Sequence, residues 1–395
     1  MQIDNFKVED WFNEYEKLAK YDMADTCVES LSLNELLNIV GCNSLHQQDE
    51  TVKVGCSHHC TDNIEKEKYL EEILSKKLNY GDIQGSERLH NAIKSLYSHA
   101  CYPLELTVTH GAIGANHLVM ETLIERGDNV VSIVPTYQQH YSIPKSIGAN
   151  VDLLFLKEEN NWIPDINELK NKVKNNTKII CMNNPNNPTG AVIPRNILEK
   201  IIDIARENNC YILCDEVYRG LEHNGQISKS IVELYEKGIS TGSMSKVFSL
   251  AGLRLGWIVA PREVMNKIII HREYNTISVS ILDDYFSTLA LENKGKIIKR
   301  NLGKILEGKK IMSDWIESEP HISWIEPKGG TTCLLKYDLP MISRELCKKL
   351  LDDTGVLFLP GETLEMEGYL RAGYCSDISK LKKGLNIFSD WMKNI

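Results

Sequence analysis

Lys178-Ile179-Ile180-Cys181-Met182 runs straight into Asn183-Asn184-Pro185-Asn186-Asn187-Pro188-Thr189-Gly190. A short run of apolar residues with no polar alternation, closed by an Asn/Pro/Gly turn cluster, reads as a β-strand buried on both faces. The pattern recurs at Tyr211-Ile212-Leu213-Cys214, which ends in Asp215-Glu216-Val217-Tyr218. A helical periodicity over 197–208 separates the two. Outward from this pair, strand patterns fall at 106–109, 129–134, 151–156, 239–242 and 256–260, and another helical pattern covers 115–126. Strands separated by helices need crossover connections. The expected fold class is therefore α/β, a mostly parallel seven-stranded sheet with helices on both faces.

The last hundred residues read differently. A helical stretch over 280–317 leads into β-like 322–325 and 331–337. A helix over 343–353, a strand pair at 356–359 and 369–372, and a final helix from Asp377 follow. This is a smaller α+β domain. The expected division is an N-terminal segment, 1–48, packing with the small domain, a large α/β domain over 49–285 and the small domain over 286–395.

Composition narrows the class of function. The chain has 395 residues, 42% of them hydrophobic and 25% charged, and a formal net charge of −9. That charge argues against nucleic acid or an anionic membrane as the main partner. No apolar run approaches a membrane span. Residues 1–16 lack the basic start and apolar middle of a signal peptide, so a cytoplasmic location is expected. The eleven cysteines are odd in number and do not suggest a disulfide framework; Cys181 and Cys214 read as small buried side chains.

In an open parallel sheet, ligands bind beyond the carboxyl ends of the strands, and the chemically notable residues fall at those ends. His110-Gly111-Ala112-Ile113-Gly114 follows the first strand and opens a helix. Pro135-Thr136-Tyr137 follows the second, and the Asn-rich turn with Asn187 follows 178–182. Asp215 and Tyr218 close 211–214. Ser243-Met244-Ser245-Lys246 follows 239–242, with Gly252-Leu253-Arg254-Leu255-Gly256 close behind.

This constellation strongly resembles the fold-type I PLP-dependent enzymes, specifically the class I/II aminotransferases related to aspartate aminotransferase. The motifs Asn-Pro-Thr-Gly, Asp-x-x-Tyr, Ser-x-x-Lys and Arg occur in the family's order, and the likeness extends from about Tyr80 to Arg371. The resemblance implies that pyridoxal 5′-phosphate is the cofactor, held as a Schiff base on Lys246, which also shuttles the substrate's α-proton. It implies that Asp215 faces the pyridine nitrogen, that Asn187 and Tyr218 bind the ring oxygen, and that Tyr137 stacks on the ring. The phosphate falls to the backbone amides of Ala112 and Ile113 at a helix start, the hydroxyls of Ser243 and Ser245, and the guanidinium of Arg254. Arg371, with Asn187, is implied to grip the substrate α-carboxylate. Tyr80 matches the tyrosine that reaches the partner subunit's phosphate, which implies a homodimer.

The resemblance weakens at Ala24-Asp25-Thr26-Cys27-Val28-Glu29, where many relatives carry Gly-x-Pro. Asp25 and Glu29 there are either partners for a cationic substrate or ordinary helix-flanking acids. Cys56-Ser57-His58-His59-Cys60 fits none of the common structural zinc spacings, and no metal is expected. The expected function is an aminotransferase moving an amino group from an amino acid to a 2-oxo acid. A lyase or cyclase on the same scaffold, acting on an amino acid such as an arginine derivative, is the alternative. A regulator sensing PLP or an amino acid is disfavoured, because no basic helix-turn-helix pattern appears among the residues before the main body.

Overall fold

A computed structural model describes residues 2–41, 59–98 and 103–395, with backbone only for 59–65. Among the described residues, seven strands form the main sheet: β1 (Glu105–His110), β2 (Asn129–Val134), β3 (Asn150–Phe155), β4 (Thr177–Asn183), β5 (Tyr211–Asp215), β6 (Gly238–Ser243) and β7 (Leu255–Ala260). Their order across the sheet is β1-β7-β6-β5-β4-β2-β3. β7 runs antiparallel to both its neighbours and the other pairs are parallel. The expected mostly parallel α/β sheet is what the chain forms.

The apolar runs that announced this sheet do pack on both sides. Ile180, Met182, Ile212 and Cys214 join one buried cluster, while Ile179, Cys181 and Leu213 join a second. Alternate side chains of one strand point to opposite faces, so only a strand covered twice needs every position apolar. Registry then places the polar residues after each run on one edge of the sheet. Asn183 pairs beside Asp215, Asp215 beside Thr241, Ser243 beside Gly256, and His110 beside Leu255.

The C-terminal part differs from expectation in two places. The 280–317 stretch is two helices, Ile281–Glu292 and Lys294–Ile316. Asn293 interrupts it with non-helical torsions, and its side-chain amide donates to the Leu289 carbonyl at 3.0 Å. A side chain that satisfies a helix's last carbonyls ends the helix where periodicity alone reads through. The expected strand over 356–359 also divides. Val356–Leu357 pairs in parallel with Tyr21–Asp22, and Leu359–Pro360 pairs with Tyr369–Gly373. Tyr369–Gly373 lies in a four-stranded sheet with Thr332–Tyr337 and Ile322–Trp324.

Pairing of Tyr21–Asp22 draws the N-terminal chain onto the C-terminal one. The Trp11 indole N–H donates to the Phe358 carbonyl at 3.1 Å, and the Gly373 amide donates to the Met23 carbonyl at 2.7 Å. The two backbones approach so closely that a Cβ on Gly373 would stand 1.7 Å from the Asp25 carbonyl oxygen. Gly373→Ala is expected to lower the unfolding free energy by about 1–3 kcal/mol, the usual cost of overpacking. Urea titration should show a lower midpoint at an unchanged slope.

Candidate active site

At the carboxyl ends of β2, β4, β5 and β6 lies a cleft of about 250 Å³. Ala112, Ile113, Tyr137, Asn187, Asp215, Tyr218, Ser243, Ser245, Lys246, Arg254 and Arg371 all line it. The strand ends of the main sheet bring residues from Ala112 to Arg254 to one edge.

Asp215 forms the floor. It is buried, and burial raises its pKa above the ordinary carboxylate range. The Asn116 side-chain amide donates to Oδ2 at 2.8 Å and the Val217 backbone N–H to Oδ1 at 3.1 Å. The Thr241 hydroxyl donates to Asn116 Oδ1 at 2.7 Å, which fixes the amide's orientation. His140 Nε2 lies 3.9 Å from Oδ2, beyond hydrogen-bond reach. Burial pulls the His140 pKa down to about 4, so its ring is neutral at neutral pH. Asn116 and His140 were not read from the sequence. The available signal for Asn116 was a lone amide among the apolar residues of the helix Gly111–Leu123.

Lys246 follows β6 on the turn that starts at Ser243. Its ε-amine donates to the Thr26 hydroxyl and lies 3.3 Å from Cys27 Sγ. Burial depresses its pKa, but Tyr218, Cys27 and Asp25 around it outweigh burial and hold it above the ordinary lysine value. Thr26 thus enters the site from the segment where the family likeness is weakest, and its carbonyl accepts from the Thr331 hydroxyl at 2.7 Å. The Tyr218 hydroxyl is buried without a hydrogen bond of good geometry, although Thr26 lies close to it.

The opposite end is cationic. Gly111 has φ +67°, and a Cβ there would stand 2.9 Å from Arg254 Nη2. Glycine therefore lets the guanidinium reach the first turn of Gly111–Leu123, whose amides have no partner within the helix. Arg254 itself holds φ 49°, a conformation that a non-glycine residue rarely adopts without a functional reason. The Ser243 and Ser245 side chains complete this end.

Arg371 closes the cleft from the small sheet. Its Nη2 donates to the Ala24 carbonyl at 2.9 Å and its Nη1 to Asn187 Oδ1 at 3.4 Å, while Nε, although buried, has no partner. Tyr137 lines the cleft, and its hydroxyl donates to Glu9. Burial first, then Glu9, raise its pKa. Glu9 belongs to the helix Lys7–Tyr15, which the sequence reading did not single out.

Three sequence candidates lie elsewhere. Tyr80 is 81% exposed and borders a separate groove with Lys76 and Tyr285. Glu29 pairs with Lys304 and Arg300, and Asp25 Oδ1 accepts from the Cys27 amide at 2.8 Å. Neither acid lines the cleft. Cys56, Ser57 and His58 lie outside the described residues, as do the side chains of His59 and Cys60. Among the described residues no cluster of metal-ligating side chains occurs.

The chain matches the family model described as "Aminotransferase class I and II" over residues 54–388. It belongs to that family.

Among curated class I and II relatives, it is 25% identical to capreomycidine synthase of Streptomyces vinaceus over 97% of this chain and 92% of that protein. It is 32% identical to an aspartate aminotransferase of Pyrococcus horikoshii over 71% of this chain and 73% of the other. The crystal structure of a PLP-dependent aminotransferase from Streptococcus suis superposes with a TM-score of 0.90 at 38% identity, covering 100% of this chain and 99% of that one. The protein is thus an enzyme of a pyridoxal 5′-phosphate-dependent family with the fold-type I architecture.

The cleft fits that cofactor. An amine, a buried carboxylate and an unpartnered phenol face one space, with a glycine-opened helix start and an arginine at its cationic end.

A titration follows from His140. The folded chain keeps it neutral while the unfolded chain protonates it near 6.5, so acid favours unfolding. Between pH 7 and 5 this residue should remove about 2 kcal/mol of stability. Urea unfolding at both pH values should show that loss shrinking in His140→Asn. An unchanged difference would mean that His140 is protonated in the folded chain.

Proposed function

We propose that this enzyme is an aminotransferase that moves the amino group of an α-amino acid to a 2-oxo acid, with pyridoxal 5′-phosphate held on Lys246. The observation that carries the reading is the meeting of Lys246, Asp215 and Arg371 in one cleft. The relatives named as aminotransferases support it. When bound, the cofactor supplies an aldehyde that condenses with amines and a ring that draws electron density from the substrate Cα.

The chain's own residues do the rest. Asp215 is a buried carboxylate whose ionised form calls for a positive partner in the cleft, and a protonated ring nitrogen is such a partner. Asn116 and the Val217 amide hold it in place. Tyr218 and Asn187 are the donors for the ring oxygen. Ala112, Ile113, Ser243, Ser245 and Arg254 hold the phosphate, and Tyr137 covers the ring. Arg371 takes the α-carboxylate on its planar guanidinium, where Nε is unpartnered and Nη1 meets Asn187 Oδ1 only at 3.4 Å. Lys246 Nζ removes the proton from the substrate Cα. Thr26 and Cys27 receive the ε-amine when it is not bonded to the cofactor.

The working form in this reading is a cytoplasmic homodimer in which the partner's Tyr80 contributes to the phosphate end. The exposed phenol of Tyr80, which lines a different groove from its own chain's cleft, supports that assignment. A second reading, a lyase or cyclase acting on an amino acid, is favoured by the match over 97% of this chain to capreomycidine synthase, a relative named as a synthase and not as an aminotransferase. Both reactions need the same base, the same ring carboxylate and the same carboxylate grip.

Mixing the PLP-loaded enzyme with single amino acids and no acceptor separates the two. An aminotransferase gives one equivalent of 2-oxo acid per site and a lasting loss of the cofactor's visible absorption. Restored absorption with many equivalents of product identifies the lyase or cyclase. Lys246→Ala should abolish turnover in either case while urea unfolding still shows a folded protein. Turnover like that of the wild type in this variant would refute the assignment of the base.

A further inference from the structure

The helix Lys7–Tyr15 sends Val8, Glu9 and Phe12 into the cleft. Among the residues lining the cleft, only Glu9 and Asp215 carry carboxylates, and Asp215 is committed at the floor. Glu9 accepts one hydrogen bond, from the Tyr137 hydroxyl. Its side chain makes no other hydrogen bond or ion pair among the described residues, so one carboxylate oxygen is uncommitted.

The cationic side is already engaged. Lys246, Arg254 and Arg371 are the cleft's basic residues, and each has a task in the reaction proposed above. A substrate with a second carboxylate therefore finds no spare cation in this chain's lining and meets the charge of Glu9. A neutral apolar side chain strips water from Glu9 and returns nothing. A cationic side chain neutralises it.

The spacing suits such a side chain. Phe12 lies three residues after Glu9, so the two share one helix face about a turn apart. The Arg371 guanidinium lies 5.9 Å from the centroid of the Phe12 ring. An α-carboxylate on Arg371 thus sits beside Phe12, in the cleft that Glu9 also lines. Phe12 and Tyr137 line the same cleft, and aromatic faces tolerate a nearby cation.

We propose that Glu9 selects the substrate's side chain, and that the substrate is an amino acid whose side chain ends in an amine or guanidinium. The proposal rests on the amino-acid reaction given above. It assigns a specificity residue to the N-terminal helix.

L-lysine and L-norleucine test it, since they differ by an ammonium in place of a methyl. The PLP-loaded wild type should show kcat/KM for L-lysine about tenfold or more above that for L-norleucine, about 1.4 kcal/mol of discrimination. Half-saturation of the change in cofactor absorption should give the same preference in binding. Glu9→Gln should bring both ratios close to one. The amide oxygen can still accept from Tyr137, so a residue that only latches the helix leaves the ratios unchanged in that variant. Glu9→Lys should move the preference toward L-glutamate. Either wild-type indifference between lysine and norleucine, or an unaltered ratio in Glu9→Gln, overturns the proposal while leaving the amino-acid reaction standing. If no amino acid changes the absorption or yields a 2-oxo acid, both readings fall together.

Discussion

A carboxylate at the end of a central strand, with a paired strand on either side, has little access to water, and the surroundings of Asp215 reduce the cost of its charge. Asn116 and the Val217 amide donate to it, Thr241 orients Asn116, and Lys246 adds a favourable field. These donors come from the helix after β1, the turn after β5 and the strand β6. Holding this charge in place thus constrains the packing of the Gly111–Leu123 helix on the sheet. It also constrains the register of β5 against β6, where Asp215 faces Thr241. The cofactor end inherits its geometry from the same helix, since the first turn of Gly111–Leu123 meets Arg254 through the space that Gly111 leaves open.

The substrate side depends on a second set of contacts, made by the N-terminal chain. Tyr21–Asp22 pairs with Val356–Leu357, and the Gly373 amide bonds to Met23. Those bonds carry residues 24–27 across the cleft, so that the Ala24 carbonyl anchors Arg371 and Thr26 meets Lys246. The helix before them closes the cleft above Tyr137. One short length of chain thus touches Lys246, Arg371 and Tyr137.

Legibility followed burial. Strands covered on both faces left continuous apolar runs, and turns at their ends supplied ten of the eleven cleft residues named from the sequence; Arg371 was named from the resemblance. The stretch at 280–317 misled because periodicity does not register a side chain such as Asn293 that ends a helix from within. The strand at 356–359 misled because its two halves choose different partners, Tyr21–Asp22 and Tyr369–Gly373. Asp25 and Glu29 drew attention as acids near the weakest part of the likeness. Yet Glu29 is neutralised by Lys304 and Arg300 on the surface, and Asp25 holds its own turn. Glu9 looks like any first-turn acid of an amphipathic helix until Tyr137 is seen beside it.

The amino-acid order alone determined the α/β class, the strands of the main sheet and the set of residues at its carboxyl edge. Each of those is local: an apolar run, a turn cluster, a motif spacing. The tertiary structure decided which long-range pairs form. Thr26 and Lys246 are 220 positions apart, Ala24 and Arg371 are 347, and Tyr137 and Glu9 are 128. Such contacts come from packing distant segments of the chain against one another. Hydrogen bonds between distant side chains leave no periodicity in the chain, because neither partner's neighbours need to change for the pair to meet.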